Sequence, residues 1–255
     1  MDLFFYSILF VLGAIVGSFI NCLVWRIKNR KNFVWERSQC PNCRRKLTWY
    51  ENIPLASFLI LKGKCKTCQG KIPTYYFWAE LFTGLLFVLV FWLNGPVLVL
   101  SKLIFELHLV CILIFIFIYD TLYKEILPGV VWLGIGVVLF YYLFFQKPDY
   151  LSVFYGALFG FGFFALQYFA SKGRWIGGGD VRLGVLMGVI LGLSKLVVAL
   201  LLAYWIGALV GVGLIILKKS KFNSEIPLGT FLVVGTLFAY YFGENIISWY
   251  INFIN

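Results

Sequence analysis

Apolar runs long enough to cross a bilayer recur along this chain from residue 3 to residue 254, and a single long polar stretch interrupts them. About 20 apolar residues in helical form span the hydrocarbon core, where an open backbone finds no water to bond. Against that length, spans are predicted at about 3–25, 76–93, 102–120, 129–145, 151–171, 181–193, 196–217 and 228–250, the sixth of them short. Only 13% of the 255 residues are charged and 62% are hydrophobic, whereas a water-soluble domain carries about 25% charge. The predicted fold class is therefore an all-α polytopic membrane protein of about eight transmembrane helices with a small cytosolic loop domain. The first basic residue is Arg26, so the leading segment lacks the basic start of a secretory signal and is expected to remain as a span.

The net charge of +11 is concentrated: residues 26–75 hold twelve Lys/Arg against Glu36 and Glu51. Between two spans such a cluster follows the positive-inside bias and attraction to anionic membrane lipids, which argues against nucleic acid as its partner. With this loop cytosolic, the N-terminus lies outside. Segments 121–128, 172–180 and 218–227 then return to the inner side, carrying Lys124, Lys172, Arg174, Lys218, Lys219 and Lys221. Three regions are expected: a first helix over 1–25, a cysteine-bearing loop over 26–75 and a membrane domain over 76–255. Gly13 and Gly17 form a G-x-x-x-G pair suited to close helix packing.

Within the polar loop, Cys40-Pro41-Asn42-Cys43 and Cys65-Lys66-Thr67-Cys68 are two C-x-x-C clips separated by 21 residues. Each clip can offer two thiolates on one turn, and two turns complete a tetrahedron around Zn2+. Pro41 and Gly70 suit tight turns, and neighbouring Lys and Arg favour thiolate. A cytosolic setting disfavours disulfides. Four thiolates leave no open coordination position, so the expected zinc is structural. Cys22 and Cys111 lie inside apolar segments and are read as packing residues.

Asp120 and Asp180 each stand at the cytosolic end of an apolar segment. Acids at such positions are costly and point to function. Asp180 can also be read as a helix N-cap, a role not open to Asp120 at the C-terminal end of its span. Brought together, two carboxylates share a proton: the charged one can take a proton from water while the neutral one polarises a scissile carbonyl. Gly177, Gly178 and Gly179 would let a substrate backbone approach closely, or simply form a turn before the helix.

These residues resemble the bacterial type IV prepilin peptidases, bifunctional leader peptidase/N-methyltransferases of the GxGD aspartyl protease class. The similarity covers nearly the whole chain. It runs through Gly17-Ser18-Phe19-Ile20-Asn21 with Arg26, the stretch from Cys40 to Cys68, Glu80-Leu81-Phe82-Thr83-Gly84, Asp120 with Ile126-Leu127-Pro128, Gly177-Gly178-Gly179-Asp180 and Ile226-Pro227-Leu228-Gly229. The resemblance implies that Asp120 and Asp180 are the catalytic pair, in a protein of the bacterial inner membrane. It implies that the substrates are prepilins or pseudopilins, single-span precursors with a short basic leader cleaved at the cytosolic face. It also implies S-adenosylmethionine-dependent methylation of the new N-terminus, for which Glu51 and Glu80 are candidate contributors. A basic leader must dock beside a basic loop, so Glu125 and Glu225 are candidates to receive it. Competing readings are an ion-coupled transporter, whose acids would sit nearer the bilayer midplane, and a non-catalytic assembly scaffold.

Overall fold

A computed structural model describes residues 2–32, 38–95, 99–218 and 226–254. Helices cover α1 Asp2–Lys28, α2 Ala56–Ile60, α3 Tyr75–Asn94, α4 Leu100–Tyr123, α5 Pro128–Phe144, α6 Tyr150–Ser171, α7 Gly178–Ile216 and α8 Leu228–Ile254, with a 3-10 turn at Trp49–Asn52. Among the described residues there is no β-strand, only the isolated bridges Gln39–Lys46 and Lys64–Lys71. Among the described residues six helices (α1, α3, α4, α6, α7 and α8) are long and apolar enough to cross a bilayer, and α5 is a shorter apolar helix. The chain is a multi-pass membrane protein.

Helix breaks follow local chemistry. Pro128 starts α5, where a missing N–H costs nothing. Asp149 caps α6 by accepting the Leu151 amide at 3.1 Å. The predicted sixth and seventh spans meet as two helices at Gly192, a few residues from the expected break, and are numbered together as α7. Unbroken, its 39 residues would measure about 58 Å, far more than a bilayer core of about 30 Å. Gly192 has φ 67° and ψ −179°, a conformation essentially confined to glycine. Ser152 Oγ accepts the Leu193 amide at 3.2 Å and so satisfies a donor that the break exposes.

The chain forms two compact units, Met1–Cys111 and Ile112–Asn255. In the first, α1 and α3 meet across Gly13 and Gly17: a Cβ on Gly13 would come within 2.8 Å of Gly84 Cα, and one on Gly17 within 2.9 Å of Glu80 Cα. The G-x-x-x-G pair packs helices, as the sequence predicts. In the second unit α7 is the centre, packed by α5, α6 and α8 and burying Leu183, Leu186, Met187, Leu196 and Ala203. Its contact with α6 is glycine against glycine. Gly156 and Gly160 face Gly184, Gly188 and Gly192, and a Cβ on Gly160 would run into the Gly184 carbonyl oxygen. Those five glycines repeat at intervals of four residues and were readable as packing motifs, yet the sequence reading passed over them.

Candidate active site, thiol cluster and pocket

Asp120 lies in the last turn of α4 and is 4% exposed; Asp180 lies in the first turn of α7 and is 8% exposed. Thr230, in the first turn of α8, gives Asp120 Oδ2 two hydrogen bonds, from its amide at 2.8 Å and from its hydroxyl at 3.2 Å. Thr121 Oγ1 lies 3.0 Å from the Thr230 hydroxyl and extends the network. Gly229 keeps this approach open, because a Cβ there would stand 2.9 Å from Asp120 Oδ2. Asp180 Oδ2 accepts the Gly177 amide at 2.9 Å, closing a cap on its own helix. Gly177, not Asp180, is the N-cap residue; Asp180 stands three residues later and bonds back to it, which corrects the expectation of an N-cap.

The two acids share a neighbour. Ile126, in the α4–α5 connection, lies against Gly179, where a Cβ would come within 2.9 Å of Ile126 Cβ, and against Gly229, where one would come within 2.8 Å of Ile126 Cδ1. The residue before Asp180 and the residue beneath Asp120 therefore grip the same side chain. Of the three glycines, Gly179 is committed to packing on Ile126. A Cβ on Gly178 would meet nothing within 4 Å, so an approaching chain would find space there. None of Gly177, Gly178 and Gly179 has a positive φ, so the turn itself does not demand glycine.

In the loop, the Sγ atoms of Cys40, Cys43, Cys65 and Cys68 all lie within 4.8 Å of one another. Cys40 and Cys68 are 3.9 Å apart, close to the edge of about 3.8 Å that a tetrahedron with Zn–S near 2.3 Å requires. The two clips fold alike. The Cys40 amide bonds the Arg45 carbonyl and the Cys65 amide bonds the Gly70 carbonyl, both at 2.9 Å, with Arg44 and Gln69 left-handed at φ 57°. Backbone N–H groups of Cys68 and Thr67 lower the Cys65 thiol to about 6, which favours the thiolate that a metal needs. The cluster could hold zinc.

Glu51 is not a solvated loop acid. Arg45 binds it bidentately at 2.6 and 3.1 Å, and the Thr48 amide and hydroxyl donate to it at 2.9 and 2.7 Å. Glu80, on α3, is buried and accepts the Leu55 amide at 2.8 Å. Leu55 has φ 61° without being glycine, a strained conformation that this carboxylate helps to hold. Glu51 and Glu80 both line a cavity of about 200 Å3 bounded by Trp25, Phe58, Tyr76 and the Cys40 and Cys65 side of the thiol cluster. Glu125 is exposed in the connection after α4. Glu225 lies outside the described residues.

A fifth buried acid was missed from sequence. Glu106 of α4 is 1% exposed, accepts from Asn94 Nδ2 at 2.6 Å and lies 3.7 Å from Lys102 Nζ. Its neighbours tie the end of α3 to the start of α4, a structural role. Thr230 was missed as well; it directly follows Ile226-Pro227-Leu228-Gly229, and nothing in a lone threonine advertises a bond to an acid 110 positions away.

A helical multi-pass frame with two buried carboxylates at helix ends, joined through one isoleucine, defines a membrane protein with a paired-acid centre beside a four-thiol loop. Residues 11–94 match the bacterial peptidase A24 N-terminal domain, and residues 107–212 match the type IV leader peptidase family. The chain is 33% identical to the prepilin leader peptidase/N-methyltransferase of Bacillus subtilis, over 96% of this chain and 97% of that protein. It is 31% identical to the protein of the same name from Aeromonas salmonicida, over 98% and 95%, and 27% identical to that of Vibrio cholerae, over 92% and 96%. This chain belongs to the type IV leader peptidase family. No solved structure matches it.

Proposed function

We infer that the protein removes the leader from type IV prepilins or pseudopilins and methylates the amino terminus so formed. The observation that carries the peptidase reading is the pair Asp120 and Asp180, both buried, at the ends of two helices that share Ile126. One carboxylate takes a proton from water as the water oxygen attacks the scissile carbonyl carbon. The other, protonated, donates to the carbonyl oxygen. Collapse of the tetrahedral intermediate breaks the C–N bond; the leaving nitrogen takes the proton that the first carboxylate gained from water, and a hydroxyl proton of the intermediate returns to the second carboxylate. Thr230 holds Asp120 by Oδ2 and leaves Oδ1 to the reactants. The open space over Gly178 suits an extended peptide.

For methylation, the cavity bearing Glu51 and Glu80 fits S-adenosylmethionine by its chemistry: Asn42, Asn52 and Ser57 for its polar groups, and Trp25, Tyr76 and Phe58 for an aromatic base. The bound cofactor would supply the methyl group. Zinc in the four-thiol cluster would brace one wall of this cavity, since Cys40 and Cys65 line both. Glu125 and Glu225 would receive the leader's basic residues. The working topology is an inner-membrane protein with its N-terminus outside, residues 26–75 in the cytosol and a membrane domain over 76–255, in contact with anionic lipid.

Co-expression with a prepilin tests this. Asp120→Asn and Asp180→Asn should each cut leader removal by a factor of about 100 or more, followed as a mobility shift. Normal cleavage by both variants would end the peptidase assignment. Mass spectrometry of the mature N-terminus reads the methyl group.

A further inference from the structure

Two cavities in the N-terminal unit adjoin. One is the polar pocket that holds Glu51 and Glu80. The other is a groove of about 630 Å3 along α1, faced by Trp49, Ile53, Pro54 and Leu55. Ser18, Cys22, Arg26, Ser38 and Asn52 line both, so the groove leads into the pocket. At this junction Ser18 and Glu80 line the same cavity, and Leu55, a wall of the groove, sends its amide to the Glu80 carboxylate.

The groove has the dimensions and polarity of a helix seat. Its α1 side follows helical spacing through Val11, Ile15, Ser18, Cys22 and Arg26, on the face turned away from the Gly13 and Gly17 contact with α3. The lining extends from position 10 to position 26, about 24 Å of helix. Apolar side chains dominate the far end, where Val11 is 55% and Ile15 50% exposed. Polar groups gather at the near end. An acyl chain would satisfy only the apolar part. A helix that is apolar along its body and ends in a free amino group would satisfy both parts, because Glu80 accepts a neutral backbone N–H, whereas Glu51 is already bound by Arg45.

We propose that this groove seats the apolar N-terminal helix of the cleaved product, antiparallel to α1, with its new amino group at Glu80 beside Ser18. The proposal rests on the function inferred above, since leader removal is what creates such an end.

The test uses the full-length protein in membranes. Benzoylphenylalanine is placed at Val11, and at Phe82 of α3, which is 55% exposed, as a control. A type IV pilin expressed without its leader is the probe, so crosslinking does not depend on cleavage. Crosslinking to pilin from position 11, and weakly or not at all from position 82, is expected. Crosslinks to lipid alone, or equal pilin yields at both positions, would overturn the proposal. In parallel, Val11→Trp with Ile15→Trp fills the groove, and Phe82→Trp is the control. With a full prepilin, the methylated fraction of cleaved chains should fall about tenfold in the double variant and hold in the control. An unchanged fraction refutes the groove. Failure of the unmodified protein to cleave prepilin would instead refute the underlying function, and the crosslink would still report on the seat.

Discussion

Thr230 donates twice to a single oxygen of Asp120, across 110 positions of sequence. Hydrogen bonds to a charged group are worth about 1.5–3 kcal/mol, and these also fix which oxygen is left to the reactants. Thr230→Val keeps the size and the amide but loses the hydroxyl. Leader cleavage should slow by about tenfold. Thr230→Ser should restore the rate. Initial rates of leader removal measure this; an unchanged rate in the valine variant would reduce Thr230 to packing.

Glu51 ties the first cysteine clip to the 3-10 turn that follows it. The Arg45 guanidinium, followed by the Thr48 amide, holds its carboxyl at about 2, below the ordinary 4.5. A depressed folded value means the stabilisation is complete above about 4.5, declines as pH falls below that, and is gone under about 2. Glu51→Gln should speed hydrogen exchange at the Thr48 amide at neutral pH, equivalent to a loss of about 1–3 kcal/mol. The difference from the unmodified protein should shrink as the pH is lowered through that window.

One zinc per chain is expected from elemental analysis, with the metal lost on Cys65→Ser or with a strong chelator. Methylation should fall with metal content, because Cys40 and Cys65 form a wall of the pocket. Leader cleavage should persist, since both aspartates belong to the other compact unit. Equal loss of both activities would contradict that separation.

Two glycines on α6 make an internal control. Gly160→Ala drives a Cβ into the Gly184 carbonyl, whereas a Cβ on Gly162 would find nothing within 4 Å. The first should cost about 1–3 kcal/mol, and the second should be neutral or stabilising by up to about 1 kcal/mol through helix propensity. Thermal unfolding in detergent reads both.

The amino-acid sequence alone was enough for the class of the molecule, because apolar length and the scarcity of charge are local properties that a bilayer reads directly. It also placed the four thiols, since C-x-x-C fixes two ligands on one turn whatever surrounds them. The acids at positions 120 and 180 stood out because a carboxylate at the end of an apolar segment is expensive. Tertiary structure decided the rest. Gly192 was one glycine among 25 until the backbone took a conformation open to it and Ser152 met the freed amide. Glu51 gained its bidentate partner only when Arg45 folded over it. Thr230 acquired a role only when α8 brought its first turn against α4. Contacts of this kind join positions far apart in the chain, and no local periodicity encodes them.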